Sequence, residues 1–138
     1  MIMKSFSRKI WQWSAGSLLA VSVSATAYAQ DVIRIGEINS YKTIPAFLEP
    51  YKKGIDLAVE QINQAGGLNG KQVEVLIRDD AGNQGNAIRE AQQLLTRDRV
   101  DVLTGSFLSN IGLALADFAK QKKVFFLAGE PLTDKIVW

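Results

Sequence analysis

"GIDLAVEQINQAGGLNGKQVEVLIRDDAGN", residues 54–83, decides how this chain folds. Its first half belongs to a helix expected over 46–65. Leu48, Tyr51, Ile55, Ala58 and Ile62 fall at steps of three and four, which makes one apolar stripe. Gly66-Gly67 stops that helix, because glycine enters the left-handed region without a Cβ clash. Asn69-Gly70 supplies a second turn. "KQVEVLIRD" then alternates, with Val73, Val75 and Ile77 on one side, and predicts a strand. Asp79-Asp80 follows, and its expected role is to bond nearby backbone amides and end the strand.

Outward from this segment the same alternation repeats. "DVIRIGEIN", 31–39, predicts a strand that leads through "SYKTIP" into the first helix. "AIREAQQLLTRDR", 87–99, predicts a second helix with Ile88, Ala91, Leu94 and Leu95 inward. "VDVLTG", 100–105, is a strand, and "IGLALADFAKQKK", 111–123, a third helix. Lys120, Lys122 and Lys123 fall in its last turn, where cations suit the helix dipole. "VFFLAG", 124–129, is a fourth strand. Strands alternating with helices imply right-handed crossovers and an α/β fold, a parallel-sheet three-layer sandwich.

The first twenty-nine residues stand apart. Lys4, Arg8 and Lys9 precede an apolar, small-residue stretch that ends in Ala27-Tyr28-Ala29. That is the pattern of a secretory signal peptide, with cleavage expected after Ala29. A membrane anchor needs about 20 strongly apolar residues, and Gln12, the serines and Thr26 dilute this one. The 138-residue chain has 16 basic and 14 acidic side chains. The first thirty residues hold three of the basic ones, so the remainder carries 13 against 14. No basic run interleaved with aromatics suggests a nucleic-acid partner. The chain has no cysteine and no histidine. That excludes Ser-His-Asp and Cys-His nucleophile systems and histidine-based zinc sites. No catalytic residue, metal site or cofactor is expected.

Ligands of open parallel sheets bind beyond the carboxyl ends of the strands. Four segments qualify: "NSYKT", "DDAGN", "TGSFLSN" and "AGEP". In the third, Ser109 or Asn110 could cap the next helix, or the free amides at that helix start could hold a carboxylate or phosphate. No G-x-G-x-x-G or Walker pattern follows the first strand, which argues against a dinucleotide enzyme.

The quoted segment resembles the signature of Leu/Ile/Val-type solute-binding proteins of ABC transporters, the type I periplasmic binding proteins. The matching positions are Gly54, Ala58, Ile62-Asn63, Gly66-Gly67, Leu68, Asn69-Gly70 and Asp79-Asp80, and "VDVLTGSFLSNIGLALADFAKQKKVFFL" continues the likeness. The resemblance implies two α/β lobes that close on a ligand by a hinge. On that basis 30–138 corresponds to the amino-terminal lobe, incomplete and without its second lobe. The solute would be an amino acid or related carboxylate, passed to an ABC permease of the inner membrane by a monomer. A sensing domain of a signalling receptor shares the fold. Family likeness assigns ligand contacts to Ser109 with its neighbours Leu108 and Asn110, and to Gly129 and Glu130 after the fourth strand. Tyr41 and Thr43 in the first loop are weaker candidates. Glu130 departs from the family pattern, which has an apolar or hydroxyl residue there. A buried carboxylate needs a donor, so Glu130 faces either solvent or a ligand amine or hydroxyl.

Overall fold

A computed structural model describes residues 32–136. The expected signal peptide lies outside the described residues. Four parallel strands, β1 (Val32–Asn39), β2 (Gln72–Asp79), β3 (Val102–Gly105) and β4 (Phe126–Ala128), form one sheet in the order β2-β1-β3-β4. Three helices connect them: α1 (Pro45–Gln64), α2 (Gln84–Thr96) and α3 (Ser109–Lys122). A short 3-10 turn, Asp134–Ile136, ends the described chain.

The main core lies on the face covered by α2 and α3. Ile38 and Leu103 of the sheet meet Ala87, Ala91 and Leu94 of α2 and Ile111, Leu115 and Phe118 of α3. Arg78 lies among these elements too. Its guanidinium is 2.7 Å from Asp98 and 3.8 Å from Glu90, so α2 is held to β2 by charge as well as packing. Helix α1 lies on the opposite face. Leu48 is fully buried there, and Tyr51, Ile55, Val59 and Ile62 are half-buried. Ala58, expected in that stripe, is exposed.

Two helix starts differ from expectation. Helix α2 begins at Gln84, three residues early, because Asn83 Oδ1 accepts the Asn86 amide at 3.0 Å and caps it there. Helix α3 begins at Ser109, so its N-cap is Leu108 and no side chain caps it. Neither Ser109 nor Asn110 takes the capping role.

The signature segment has a physical explanation. Asn63, in the last turn of α1, donates Nδ2 to Val73 O at 2.9 Å and accepts Val73 N at 2.8 Å. The chain must then reverse within a few residues. Asn69 and Gly70 both have positive φ, 52° and 80°, the requirement of a type I′ hairpin turn. Leu68 and Lys71 pair across it. Gly67 stands against this turn with φ 80°, and a Cβ there would lie 2.0 Å from Lys71 O. Gly66 also has positive φ, yet nothing lies within 4 Å of its Cβ position.

These two glycines therefore predict unequal costs. Gly66→Ala should lose about 1–2 kcal/mol from the left-handed backbone alone. Gly67→Ala should lose about 3 kcal/mol or more, because a backbone clash adds to the strain. Urea unfolding of the two variants measures the difference.

Candidate functional site

All four β-strands end on one edge of the sheet, and their loops are knitted together there by buried polar groups. Glu37, Asn39, Ser40, Asp80 and Ser106 are each at most 1 % exposed. Asn39 Oδ1 accepts the Phe107 amide at 2.9 Å and the Ser40 amide at 3.1 Å. Its Nδ2 donates to Glu37 Oε1 at 3.3 Å. Ser40 Oγ donates to Asp80 Oδ1 at 2.6 Å, and the Gly82 amide donates to the same oxygen at 2.8 Å. Asp79 Oδ1 accepts the Ala81 amide at 3.0 Å, and Lys42 pairs with Oδ2 at 3.3 Å. The two aspartates organise their own loop, as the sequence suggests, and Asp80 also anchors the loop after β1.

The loop after β3 takes an unusual path. Gly105 has φ 108°, and a Cβ there would lie 2.4 Å from Ile38 O and 2.8 Å from Glu37 Oε1. Ser106 N then donates to Ile38 O at 2.8 Å, and Ser106 Oγ donates to Leu108 O at 3.1 Å. Leu108 O also accepts the Ile111 and Gly112 amides. The Leu108 side chain packs against the main core. Ser109 is half-buried and Asn110 exposed. Their backbone amides and the Ser109 hydroxyl have no acceptor or donor among the described residues. The start of α3 therefore offers two free N–H groups, a hydroxyl and the positive dipole end.

The loop after β4 closes against this helix start. Gly129 N donates to Gly105 O at 3.2 Å. A Cβ on Gly112 would lie 2.6 Å from Cγ of Pro131, so the loop packs directly on the first turn of α3. Glu130, Gly129, Phe107, Phe47 and Leu132 line a cavity of about 530 Å³ between them. The Phe47 and Phe107 rings meet at 5.2 Å between centroids, tilted 53°. Tyr41 lies elsewhere, in a neighbouring groove with Lys42, Pro45, Glu49 and Asp79. Its hydroxyl donates to Glu37 Oε2 at 2.8 Å. Thr43 packs beside Gly82.

Three of these groups escape a reading of the sequence. Phe47 and Phe107 resemble ordinary core residues, yet Phe47 is 59 % exposed and both line the cavity. Glu37 follows Ile33 and Ile35 at steps of two, so it occupies the α1-facing side of a central strand. That alternation is the signal that could have found it. Burial, opposed by bonds from Tyr41 and Asn39, pushes the Glu37 carboxyl up to about 7, with Glu130 and Asp80 adding repulsion. Burial raises Tyr51 to about 12, with smaller contributions from Glu37 and Glu130, and it also raises Tyr41. Asp80 is raised by burial and partly restored by Ser40 and Gly82.

Comparison with known proteins places this architecture. A family model described as periplasmic binding protein matches residues 32–137. A Leu/Ile/Val-binding protein homolog of Brucella abortus (strain 2308) is 34 % identical over 119 residues, covering 83 % of this chain and 28 % of its own. An amino acid binding protein of Pseudomonas aeruginosa is 32 % identical over 108 residues, covering 78 % and 28 %. The structure of the branched-chain amino acid transporter substrate binding protein LivJ from Streptococcus pneumoniae, in complex with isoleucine, superposes with a TM-score of 0.71 at 28 % identity. It covers 77 % of this chain and 31 % of that one. An ABC transporter solute binding protein of Rhodopseudomonas palustris BisB5, in complex with 3,4-dihydroxybenzoic acid, gives 0.64 at 32 % identity, covering 77 % and 29 %. The chain thus spans less than a third of the length of these relatives.

The raised Glu37 carboxyl makes stability depend on pH. The folded state holds this proton above the unfolded value of 4.5, so it binds more protons than the unfolded chain between there and about 7. Stability should therefore fall as pH rises through that window, by on the order of 3 kcal/mol, and level off above it. Glu37→Gln should remove that part of the slope. Urea unfolding of both proteins at the two ends of the window reads it as a difference.

Proposed function

We propose, from the premise that this chain belongs to the periplasmic binding protein family, that it captures a small solute in the periplasm for import by an ABC permease. The solute is an amino acid or a related carboxylate, and the protein acts as a monomer with no catalytic step of its own. One observation carries this reading. The start of α3 presents the Ser109 and Asn110 amides and the Ser109 hydroxyl, none of them used by the fold, beside an apolar cavity. A carboxylate is the group such a helix start favours. The apolar part of the solute lies against Phe47 and Phe107, and Gly129 lets the opposite loop approach it.

Support also comes from the relatives, whose names describe amino acid or Leu/Ile/Val binding, and from a solved neighbour that holds isoleucine. The neighbour with a dihydroxybenzoic acid keeps the carboxylate and changes the rest. The matching family's description as periplasmic supports a periplasmic location, with residues 1–29 proposed as the signal peptide.

Given its share of the relatives' length, the chain supplies one wall of a cleft that buries its solute from two sides. Affinity on this wall alone is expected in the millimolar range or weaker. At about 1 mM leucine the melting temperature should then stay unchanged, since mass action contributes only a few tenths of a kcal/mol. Amide shifts in an isotope-labelled chain read such weak binding directly. Leucine should move Ser109 and Asn110, and Ser109→Ala should weaken the interaction about fivefold, or roughly 1 kcal/mol. Unmoved α3 amides with every amino acid tried would overturn the reading.

A further inference from the structure

Glu37 is an acid buried among neutral and acidic groups. Its side chain is fully buried. Oε1 accepts Asn39 Nδ2 at 3.3 Å, and Oε2 accepts the Tyr41 hydroxyl at 2.8 Å. Burial, Tyr41, Asn39, Glu130 and Asp80 set its proton affinity, and none of these is a cation. The acids face it from two loops, Asp80 after β2 and Glu130 after β4, and both repel its charge. Tyr41 of the first loop and Tyr51 of α1 have their own ionisation raised, so both stay neutral. The loop after β3, from Gly105 to Asn110, has no acidic or basic side chain. Unpaired negative charge is costly in such a place.

Glycines connect this carboxyl to the space beside α3. A Cβ on Gly105 would lie 2.8 Å from Glu37 Oε1. Gly105 O accepts the amide of Gly129, which lines the cavity. Asn39 makes a second link, because its Nδ2 holds Glu37 while its Oδ1 holds the Phe107 amide, two residues before Ser109. The network also accommodates a proton. With Glu37 ionised, Tyr41 donates to Oε2. With a proton on Oε2, the same pair bonds in the reverse sense, Glu37 donating to Tyr41 Oη. Asn39 needs no change, so the proton enters without breaking a hydrogen bond.

We propose that capture of the solute carboxylate at the start of α3 is coupled to proton uptake by Glu37, so that the site takes up an anion and a proton together. The proposal rests on the carboxylate reading for the anion's place. A bound anion adds negative charge to an edge that already holds three acids, and repulsion is stronger there than in water. The anion therefore raises the proton affinity of Glu37. By reciprocity the protonated chain binds the anion more tightly. Glu37 is half-protonated near pH 7 in the free chain. Affinity is thus full below that pH and falls as pH rises from there to the raised midpoint of the complex.

Butyrate is the probe, with butyramide as its neutral counterpart, both at constant ionic strength. Carbon-13 shifts of the full 138-residue chain read the Glu37 carboxyl directly. Saturating butyrate should move its titration midpoint from about 7 to about 8, and butyramide should leave it in place. Butyrate affinity, read from the Ser109 and Asn110 carbons, should then fall about sevenfold between about pH 6 and about pH 8.5. Glu37→Gln, whose amide is a permanent donor to Tyr41, should bind butyrate equally at both pH values. A purely structural Glu37 would instead show a midpoint that ignores butyrate. That result, with Ser109 and Asn110 responding, overturns the proposal and leaves the carboxylate reading standing. Butyrate that moves neither residue at either pH overturns both. A pH dependence that persists in Glu37→Gln assigns the proton to another group, Asp80 or Glu130, and also overturns the proposal. If that variant fails to fold, the carboxyl titration of the natural chain decides by itself.

Discussion

The Asn39 side chain ties together its own loop, the loop after β3 and the Glu37 carboxyl. One oxygen receives amides from its own loop and from the loop after β3, and its nitrogen reaches the Glu37 carboxyl. The Phe107 amide sits where it does because that oxygen is there, and the Phe107 ring then forms a wall of the cavity. Positions of the ring, the α3 start and the first loop are thus coupled through one amide. An aspartate could accept the same two amides, but it would place a second negative charge against Glu37. Asparagine supplies acceptor and donor together without charge.

Around Asn39 the carboxyl edge carries more acid than a stable fold requires. Glu37 and Asp80 are fully buried, and Glu130 is partly so. Asp80 has a structural use, since its oxygen gathers the Ser40 hydroxyl and the Gly82 amide. Glu37 is satisfied by neutral donors, and its raised proton affinity records what burial costs it. Glu130 has no such structural use. The fold is organised from within at this edge, and of its residues with an unpartnered buried oxygen only Glu130 lines the cavity.

Much of this architecture was legible in the sequence because periodicity is a backbone property. Strands β1 and β2 and helix α1 fall within one or two residues of their expected ranges, since their apolar spacing is set by the sheet and helix repeats. Helix starts were less legible. Asn83 begins α2 early through a side-chain bond, and α3 begins at Ser109 with no cap at all. The site was legible in part. Strand ends and family likeness pointed to Ser109, Gly129 and Glu130, and the structure puts all three at the carboxyl edge of the sheet. Spacing does not reveal that Tyr41 faces a separate groove, nor that Phe107 points outward beside a glycine with positive φ. Those outcomes depend on contacts between loops far apart in the chain.

Asn63 has a consequence beyond holding α1 to β2. Strand β2 is an edge of the sheet, where every second residue turns its N–H and C=O away from β1. At Val73 the side-chain amide of Asn63 fills both positions, donor to acceptor and acceptor to donor. It imitates one residue of a neighbouring strand. A second chain seeking to add a strand would find the beginning of this edge already occupied. The short asparagine that ends a helix thus also guards against self-association.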